Sequence, residues 1–496
     1  MSGLKRFIPI GLSSPRFRNA AVSLSVLSVL AFLLTPLTFT HAQQGKPAVP
    51  NLASFADPSG VVRTYSEDGD IDLTGPFFQS LGTNGRSCGT CHQPSDAMSV
   101  AAVHLQARFD ESQGLDPIFR TNDGSNCDHN IDVSTVAGRA TAYSLLRTRG
   151  VIRIALDVPA TRDFDVVSVS NPYGCSETNV ISMYRRPLPA ANLMFLNTLM
   201  FDGRESSAQT STTPITSVNY PGSLLSDLAH QSVDATTGHA QGIGLTTAQQ
   251  QAIVNFETAL YTAQAQDHGA GDLAAQGATG GPPSVSEQEY YIGINDPVGL
   301  DPDNPVPLNF STRIFNIFDA WQKAENPKRQ AIARGQEIFN TKTFTITGVA
   351  GLNGFTFSNG VTAPTTIVST CGICHDSPNV GNHSVAAPLN IGVADPPGGN
   401  NVLDTSYLPV IKICPKDGAN PCVETTDPGR AMITGKFADV GKFKGPILRG
   451  LAARAPYFHN GSAQTLEDIV DFYDTRFHIG FTAQEKSDLA AFLNAL

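Results

Sequence analysis

The sequence predicts a mainly α-helical fold with extensive loops, in which one small unit occurs twice and a partly β insertion interrupts the first copy. Three observations lead to this prediction. The pentad Cys-x-x-Cys-His occurs at 88–92 and again at 371–375. Capped amphipathic helices are predicted near the C-terminus, whereas period-2 alternation is confined to short runs. Glycine and proline number 44 and 33, which is typical of irregular backbone.

The first 42 residues predict an export signal. An uncharged run from Ala20 to Phe39 follows a basic segment and ends in Thr40-His41-Ala42-Gln43, so cleavage is expected near Ala42. The basic residues are Lys5, Arg6, Arg16 and Arg18. An uncleaved anchor is the alternative, although the run is short for a span and contains Pro36. We expect export to the periplasm without stable membrane insertion.

Each pentad has the spacing that attaches a c-type haem covalently. Two cysteines form thioethers with the porphyrin vinyl groups, and the adjacent histidine becomes the proximal iron ligand. The predicted attachment residues are Cys88, Cys91 and His92 for the first haem and Cys371, Cys374 and His375 for the second. A zinc site or a redox disulfide is the alternative, but a zinc site would require further Cys or His ligands near each pentad. The sequence therefore predicts two covalently bound haem c groups.

Four cysteines remain outside the pentads, an even number that suits an oxidising compartment. They pair most economically as Cys127–Cys175 and Cys414–Cys422. Spacing alone does not fix this connectivity.

The formal net charge of −11 argues against a nucleic-acid partner, which needs a basic footprint. Residues 1–42 hold four basic and no acidic residues, so cleavage makes the chain still more acidic. This charge suits steering of a small basic electron carrier, such as a cytochrome c or a cupredoxin. Its alternative role is to maintain solubility.

The predicted organisation is an N-terminal haem domain, 43–325, and a C-terminal haem domain, 326–496. The first contains the insertion at about 108–184, with strands expected at 151–156 and 165–169. A capping-box pattern at Thr247 predicts a helix, and apolar periodicity predicts others at 314–321 and 330–339. Capping patterns at Thr465 and Thr482 predict two closing helices.

Three further motifs resemble those of the bacterial di-haem cytochrome c peroxidase and MauG superfamily. They are Gly441-Lys442-Phe443-Lys444-Gly445-Pro446-Ile447-Leu448-Arg449-Gly450, Ala455-Pro456-Tyr457-Phe458-His459-Asn460-Gly461, and Leu199-Met200-Phe201-Asp202-Gly203-Arg204-Glu205. The resemblance covers both haem regions and the Asp-Gly-Arg segment. It does not extend to the insertion from Arg108 to Tyr184 or to much of 263–326.

The resemblance implies a different role for each haem. The first would react with peroxide, with His92 as proximal ligand. The second would store or relay electrons, with His375 on one face and a residue of the helix after the 455–461 motif on the other. Peroxidases have methionine there and MauG-like enzymes tyrosine; here the position falls on Tyr473, which periodicity also places on the buried helix face. Met432 is the competing ligand, and an ordinary core tyrosine is the other alternative.

Other positions depart from the family pattern. Phe201 stands where the inter-haem tryptophan is usual, and it can pack between two porphyrins but is harder to oxidise. The usual distal glutamate is not found, and His239, with Gln241 as hydrogen-bond partner, is the best proton-transfer residue. His239 is alternatively a resting-state ligand of the first haem, and His104 is a second possible distal ligand.

Three arginines are also singled out by the resemblance. Arg204 and Arg449 are expected either to neutralise haem propionates or to form structural ion pairs. Arg186 falls where the family's inter-domain calcium site has an asparagine, so calcium is possible but doubtful. His459 is expected to pack around the second haem, whereas His383 suits a turn as well as a cofactor contact.

Together these features predict a periplasmic di-haem oxidoreductase that uses hydrogen peroxide. Its electron source would be the small carrier, or its substrate an oxidisable protein or organic molecule. Two alternatives remain: a di-haem electron-transfer cytochrome without catalysis, and a di-haem dioxygenase of a hydrophobic substrate, whose pocket the insertion would build.

Overall fold

The structure, a computed structural model, describes residues 46–206, 220–297, 310–357, 360–385, 387–398, 401–418 and 420–496. The expected export signal lies outside the described residues. Within them, no helix combines the length and the apolar character that crossing a bilayer requires.

The described residues contain eleven α-helices. In chain order these are α1 Cys88–Cys91, α2 Ala102–Ser112, α3 Val136–Ala142, α4 Ser144–Arg149, α5 Gly222–Gly238, α6 Thr247–Thr258, α7 Pro282–Ser286, α8 Pro327–Thr341, α9 Ala431–Thr434, α10 Leu466–Phe477 and α11 Ala483–Asn494. Thirteen short strands accompany them: β1 Ala48–Val49, β2 Phe55–Asp57, β3 Gly60–Ser66, β4 Ile71–Asp72, β5 Ile152–Asp157, β6 Phe164–Ser170, β7 Val180–Arg185, β8 Leu260–Asp267, β9 Gly271–Asp272, β10 Phe344–Thr347, β11 Thr366–Ser369, β12 Val410–Pro415 and β13 Val423–Thr425.

The C-terminal helices form the largest apolar cluster, as their periodicity predicts. Thr465 and Thr482 cap α10 and α11 with complete capping boxes. Helices α8 and α11 cross closely at Gly335, where a Cβ atom would lie 2.0 Å from the carbonyl oxygen of Asp488. Only glycine permits this approach. The Asp488 carboxylate also receives a bidentate ion pair from Arg334, at 2.7 and 2.8 Å.

The insertion contains the expected strands, but only two of its strands pair with each other. Strands β5 and β7 pair with each other. Strand β6 instead pairs with β12, and β12 pairs with β13. Both expected disulfides are present, Cys127–Cys175 in the insertion and Cys414–Cys422 between β12 and the residue before β13. The insertion is therefore joined by backbone hydrogen bonds to the C-terminal part of the chain.

Two helix predictions are wrong in part. Helix α6 is capped by Thr246 and ends at Thr258, and Leu260 begins β8, which pairs with β3. The predicted helix at 314–321 is irregular except for a 3₁₀ turn at Asp319–Trp321. Its apolar residues are buried all the same, so the pattern indicated burial and not a helix.

Candidate active site

Two cavities each contain one pentad. The first cavity is lined by Cys88, Cys91 and His92, and the second by Cys371, Cys374 and His375. Their empty volumes, which include space open to solvent, are about 1630 and 1760 Å³. The similar sizes fit two groups of the same kind.

Both pentads hold their histidine in the same way. The Nδ1 atom of His92 lies 2.9 Å from the carbonyl oxygen of Met98, and that of His375 lies 2.6 Å from the carbonyl oxygen of Gly381. Because a carbonyl oxygen only accepts, each Nδ1 carries the proton and each Nε2 keeps its lone pair. This is the arrangement in which a histidine ligates a metal.

The pentad cysteines suit thioether attachment better than zinc. All four are free, and burial raises the pKa of Cys88 and of Cys371 to about 12. A structural zinc site requires about four converging ligands. Among the described residues, groups of three or more metal-binding side chains occur elsewhere and include neither pentad.

Buried cations without partners line the cavities. The side chain of Arg449 lines the first cavity, and its three guanidinium nitrogens have no hydrogen-bond partner among the described residues. Burial lowers the pKa of Arg449 to about 9 and that of Lys444, which lines both cavities, to about 8. An unpaired buried cation is unfavourable. Haem propionates would supply the missing anions, so these residues fit the predicted cofactor.

Tyr473 lies in the second cavity, as its place in α10 predicts. Burial raises the pKa of its hydroxyl above the ordinary value, with smaller contributions from Cys374 and Cys371, which line the same cavity. Met432 is elsewhere: it packs against Ile154 and Ile413 in the apolar cluster of the insertion and lines neither cavity. Of the two expected ligands, Tyr473 lines the cavity of the second pentad and Met432 does not.

Phe201 is one of five residues that line both cavities. The others are Arg186, Pro187, Leu188 and Lys444. The Phe201 ring is 6.0 Å from that of His459, which stacks on Phe443 at 4.0 Å in the wall of the second cavity. Burial lowers the pKa of His459 to about 4, which keeps its ring neutral. Aromatic contacts thus lie where the cavities meet.

His239 lines the first cavity, but its partner is not the expected one. Its Nδ1 is 2.5 Å from Oδ2 of Asp123. Gln241 is exposed, has a left-handed backbone conformation with φ 55°, and does not line the cavity. The cavity contains a different amide, that of Gln231, two helical turns before His239 on α5.

The remaining expected residues are divided between the cavities and other contacts. His104 lines neither cavity and pairs with Asp96. His383 lines the second cavity and lies 2.9 Å from Asp376. Arg204 lines the first cavity, where it pairs with Asp202 at 3.2 Å. It is thus already engaged, unlike Arg449.

Arg186 is surrounded by backbone carbonyl oxygens. Its guanidinium donates to the carbonyl oxygens of Val100, Arg454 and Arg149 at 2.6, 2.7 and 3.1 Å. A guanidinium with these partners already provides the positive charge at this point. This positive charge is the structural reason to doubt that a calcium ion binds at Arg186.

Several residues of the first cavity were not predicted from the sequence. They are Arg86, Asp123, Gln231 and Glu257. Residues 228, 232 and 235 of α5 are apolar or small and lie on the same helix face as position 239. This periodicity is the sequence feature from which Gln231 could have been predicted to line the cavity. Asp123 lies in the insertion, for which no motif was available.

Curated relatives match this chain over limited segments, and no protein-family model matches it. "Cytochrome-c peroxidase IdrP1" of Pseudomonas sp. (strain SCT) is 42% identical over 81 residues, 14% of this chain and 21% of that protein. "Cytochrome-c peroxidase IdrP2" of Denitromonas iodatirespirans is 34% identical over 140 residues, 25% of this chain and 35% of its own. "Cytochrome c551 peroxidase" of Nitrosomonas europaea is 31% identical over 129 residues, 26% and 30% respectively.

The predicted resemblance to cytochrome c peroxidases is confirmed by these relatives, which define a class of peroxidase-like oxidoreductases. The chain spans only 21 to 35% of their length, so their activity is a proposal for this protein. A solved MauG-like protein associated with microbial copper homeostasis aligns with 91% of this chain and 93% of its own, at 16% identity and a TM-score of 0.37. At this TM-score the likeness carries no weight.

Proposed function

We propose that the protein is a periplasmic di-haem c-type peroxidase that reduces hydrogen peroxide in the first cavity and takes up electrons through the second. The observation that carries this proposal is the difference between two otherwise similar cavities. The first contains His239, a polar side chain fixed by a carboxylate. The second contains Tyr473, and its own carboxylate-paired histidine, His383, is buried, whereas the ring of His239 is partly exposed.

The residues of the pentads would hold the two haems. Cys88 and Cys91 would form the thioethers of the first, and His92 would present Nε2 to its iron because Nδ1 is bonded to Met98. In the second, Cys371, Cys374 and His375 would do the same, and Tyr473 would be a further residue that holds the haem through its hydroxyl. When bound, a haem of this kind supplies an iron that accepts small ligands and exchanges single electrons.

His239 would carry the proton transfer that reduction of peroxide requires. Nε2 takes the proton from one peroxide oxygen and returns it to the other as the bond between them breaks. Two further protons and two electrons complete the conversion of hydrogen peroxide to two water molecules. A small electron carrier, a cytochrome c or a cupredoxin, would provide these electrons.

Charged and aromatic side chains would position the haems relative to each other. Arg449, whose guanidinium has no partner among the described residues, and the buried Lys444 offer cations to the propionates, and Phe201 is one of the residues that line both cavities. Phe201 has no indole to oxidise, so electron transfer past it would proceed by tunnelling through the packed contact. This favours short-range exchange between the haems.

Oxidation of a protein or organic substrate in the MauG manner is the second candidate, and the position of Tyr473 favours it. A phenolate ligand donates charge to iron and stabilises its oxidised states. In that case the site in the second cavity would hold part of the oxidising equivalents formed in the first cavity, instead of storing electrons.

Electron paramagnetic resonance of the ferric protein tests the proposal. We expect two haems per chain, one high-spin and one low-spin, and loss of the high-spin signal after one equivalent of hydrogen peroxide. Two low-spin signals that peroxide leaves unchanged would show an electron-transfer cytochrome instead. An assay that follows the oxidation of reduced cytochrome c by hydrogen peroxide then distinguishes peroxidase activity from MauG-like activity.

A further inference from the structure

We propose that Asp123, held in place by Arg86, is the positioning residue of His239, so that the insertion 108–184 supplies a working part of the first cavity. This inference rests on the proposed function, because it concerns how His239 handles a proton during the reduction of peroxide. It adds two residues that no sequence motif indicates.

The contact between Asp123 and the ring of His239 fixes the proton on one nitrogen. Nδ1 of His239 lies 2.5 Å from Oδ2 of Asp123. A carboxylate accepts the Nδ1 proton and leaves Nε2 with a free lone pair. His239 lines the first cavity, and Nε2 is the ring nitrogen that the bond to Asp123 leaves free.

Asp123 is itself held rigidly. Its other oxygen, Oδ1, forms an ion pair with Arg86, and the two side chains are only 8% and 3% exposed. The remaining donors of Arg86 bond the carbonyl oxygens of Pro117 and Ile118 at 2.9 and 2.5 Å. Burial would raise the pKa of Asp123, but the hydrogen bond from His239 and the charge of Arg86 outweigh it and lower the pKa. Asp123 is therefore anionic at neutral pH.

The backbone of His239 is held by the same surroundings. Asn84 donates to the His239 carbonyl oxygen at 2.8 Å, and Arg86 donates to it at 3.3 Å. Asn122 donates to the preceding carbonyl, that of Gly238, at 3.1 Å. These donors come from the segment before the first pentad and from the insertion. The end of α5 is thus attached to the segment that leads into the first pentad and to the insertion.

This arrangement assigns Asp123 a definite role in the proton transfer. When Nε2 takes a proton from peroxide, the ring of His239 becomes a cation, and the adjacent carboxylate stabilises it. The Nδ1 proton stays on the ring throughout, and the Nε2 proton is returned to the departing oxygen. No net charge or proton remains on either residue at the end.

The test is a double-mutant cycle on the haem-containing protein with Asp123→Asn and His239→Gln. The bimolecular rate constant for hydrogen peroxide is measured by stopped-flow absorption, together with haem content and the thermal unfolding midpoint. His239→Gln should lower the rate constant by about 100-fold or more, and Asp123→Asn by about 10-fold. In the His239→Gln protein, Asp123→Asn should change it by less than about twofold, because coupled residues are not additive.

His230→Gln is the matched control. His230 lies on the same helix and bonds a buried carboxylate, Glu205, at 3.0 Å, but it does not line either cavity. Its rate constant should equal that of the wild type. If Asp123→Asn is poorly folded, Arg86→Lys provides a second cycle that keeps the positive charge. It should show a smaller loss, again only when His239 is present.

The outcomes separate the two proposals. Equal losses from Asp123→Asn in both backgrounds, or no loss at all, would overturn the positioning role. A wild-type protein that does not react with peroxide would overturn the proposed function instead. In that case the thermal unfolding midpoints still test whether the two side chains interact. Non-additive shifts in the double mutant support the pairing of Asp123 with His239, and additive shifts overturn it.

Discussion

The backbone N–H of Lys444 donates a 2.9 Å hydrogen bond to the carbonyl oxygen of Phe201, and the side chains of both residues line both cavities. The contact joins the Asp-Gly-Arg segment to the 441–450 motif. As a result, one aromatic ring and one buried cation lie where the proposed cofactors would approach each other. Substitutions here should affect both sites.

Lys444→Met should lower the reduction potentials of both haems. A cation near an iron porphyrin favours the reduced form, and its removal disfavours it. At about 10 Å and an effective dielectric constant of about 20, the change is on the order of 50 mV. Spectroelectrochemical titration would measure it. A shift confined to one haem would contradict the shared position of Lys444.

Arg449→Met should lower the potential of the first haem alone, because Arg449 lines only the first cavity. The expected change is again about 50 mV at neutral pH. The same titration checks it, and the Lys444→Met protein is the comparison. An unchanged first potential would show that the Arg449 guanidinium does not face the propionates.

Tyr473→Phe should change the low-spin signal of the second haem in electron paramagnetic resonance and leave the first haem unaffected. The substitution removes only a hydroxyl group that has no hydrogen-bond partner in the part of the chain that the structure describes. Its matched control is Tyr457→Phe: this tyrosine lines the same cavity, but its hydroxyl donates to the carbonyl oxygen of Leu451 at 3.0 Å. If both variants keep the wild-type spectrum, Tyr473 is not a ligand.

The helices near the C-terminus could be predicted from the sequence because each carries its own local signals. Thr465 and Thr482 provide caps, and the apolar residues behind them have helical periodicity. The segment 314–321 has a similar apolar periodicity, but it has no capping side chain, and most of it is irregular. Periodicity thus predicted burial in both places, while the caps predicted which segments are helices.

The site was predicted where a motif contains the residues and missed where distant segments meet. The pentads, Phe201, Arg449 and Tyr473 line the cavities as expected. Asp123 approaches His239 from 116 positions away, through an insertion that pairs with strands near the C-terminus. The sequence around either residue does not indicate this contact. Gln241 is near His239 in sequence, but it is exposed and does not line the cavity.

Glu257→Gln should make the stability of the protein less dependent on pH between about 5 and 8. Glu257 lines the first cavity, its buried Oε2 atom has no hydrogen-bond partner among the residues that the structure describes, and burial raises its pKa from 4.5 to about 8. Between these values the folded protein keeps a proton that the unfolded chain has lost. The contribution of Glu257 to stability is thus complete below pH 4.5 and declines as the pH rises to about 8.

Thermal unfolding of the haem-containing proteins at pH 5 and pH 8 measures this effect. The wild-type midpoint should fall between the two pH values by more than the midpoint of Glu257→Gln, because glutamine does not titrate. Glu337→Gln is the control, since Glu337 is exposed on α8 and pairs with Arg313 at 3.2 Å outside both cavities. Equal pH dependence of the wild type and Glu257→Gln would mean that Glu257 is ionised in the folded protein, paired with a group that neutralises it.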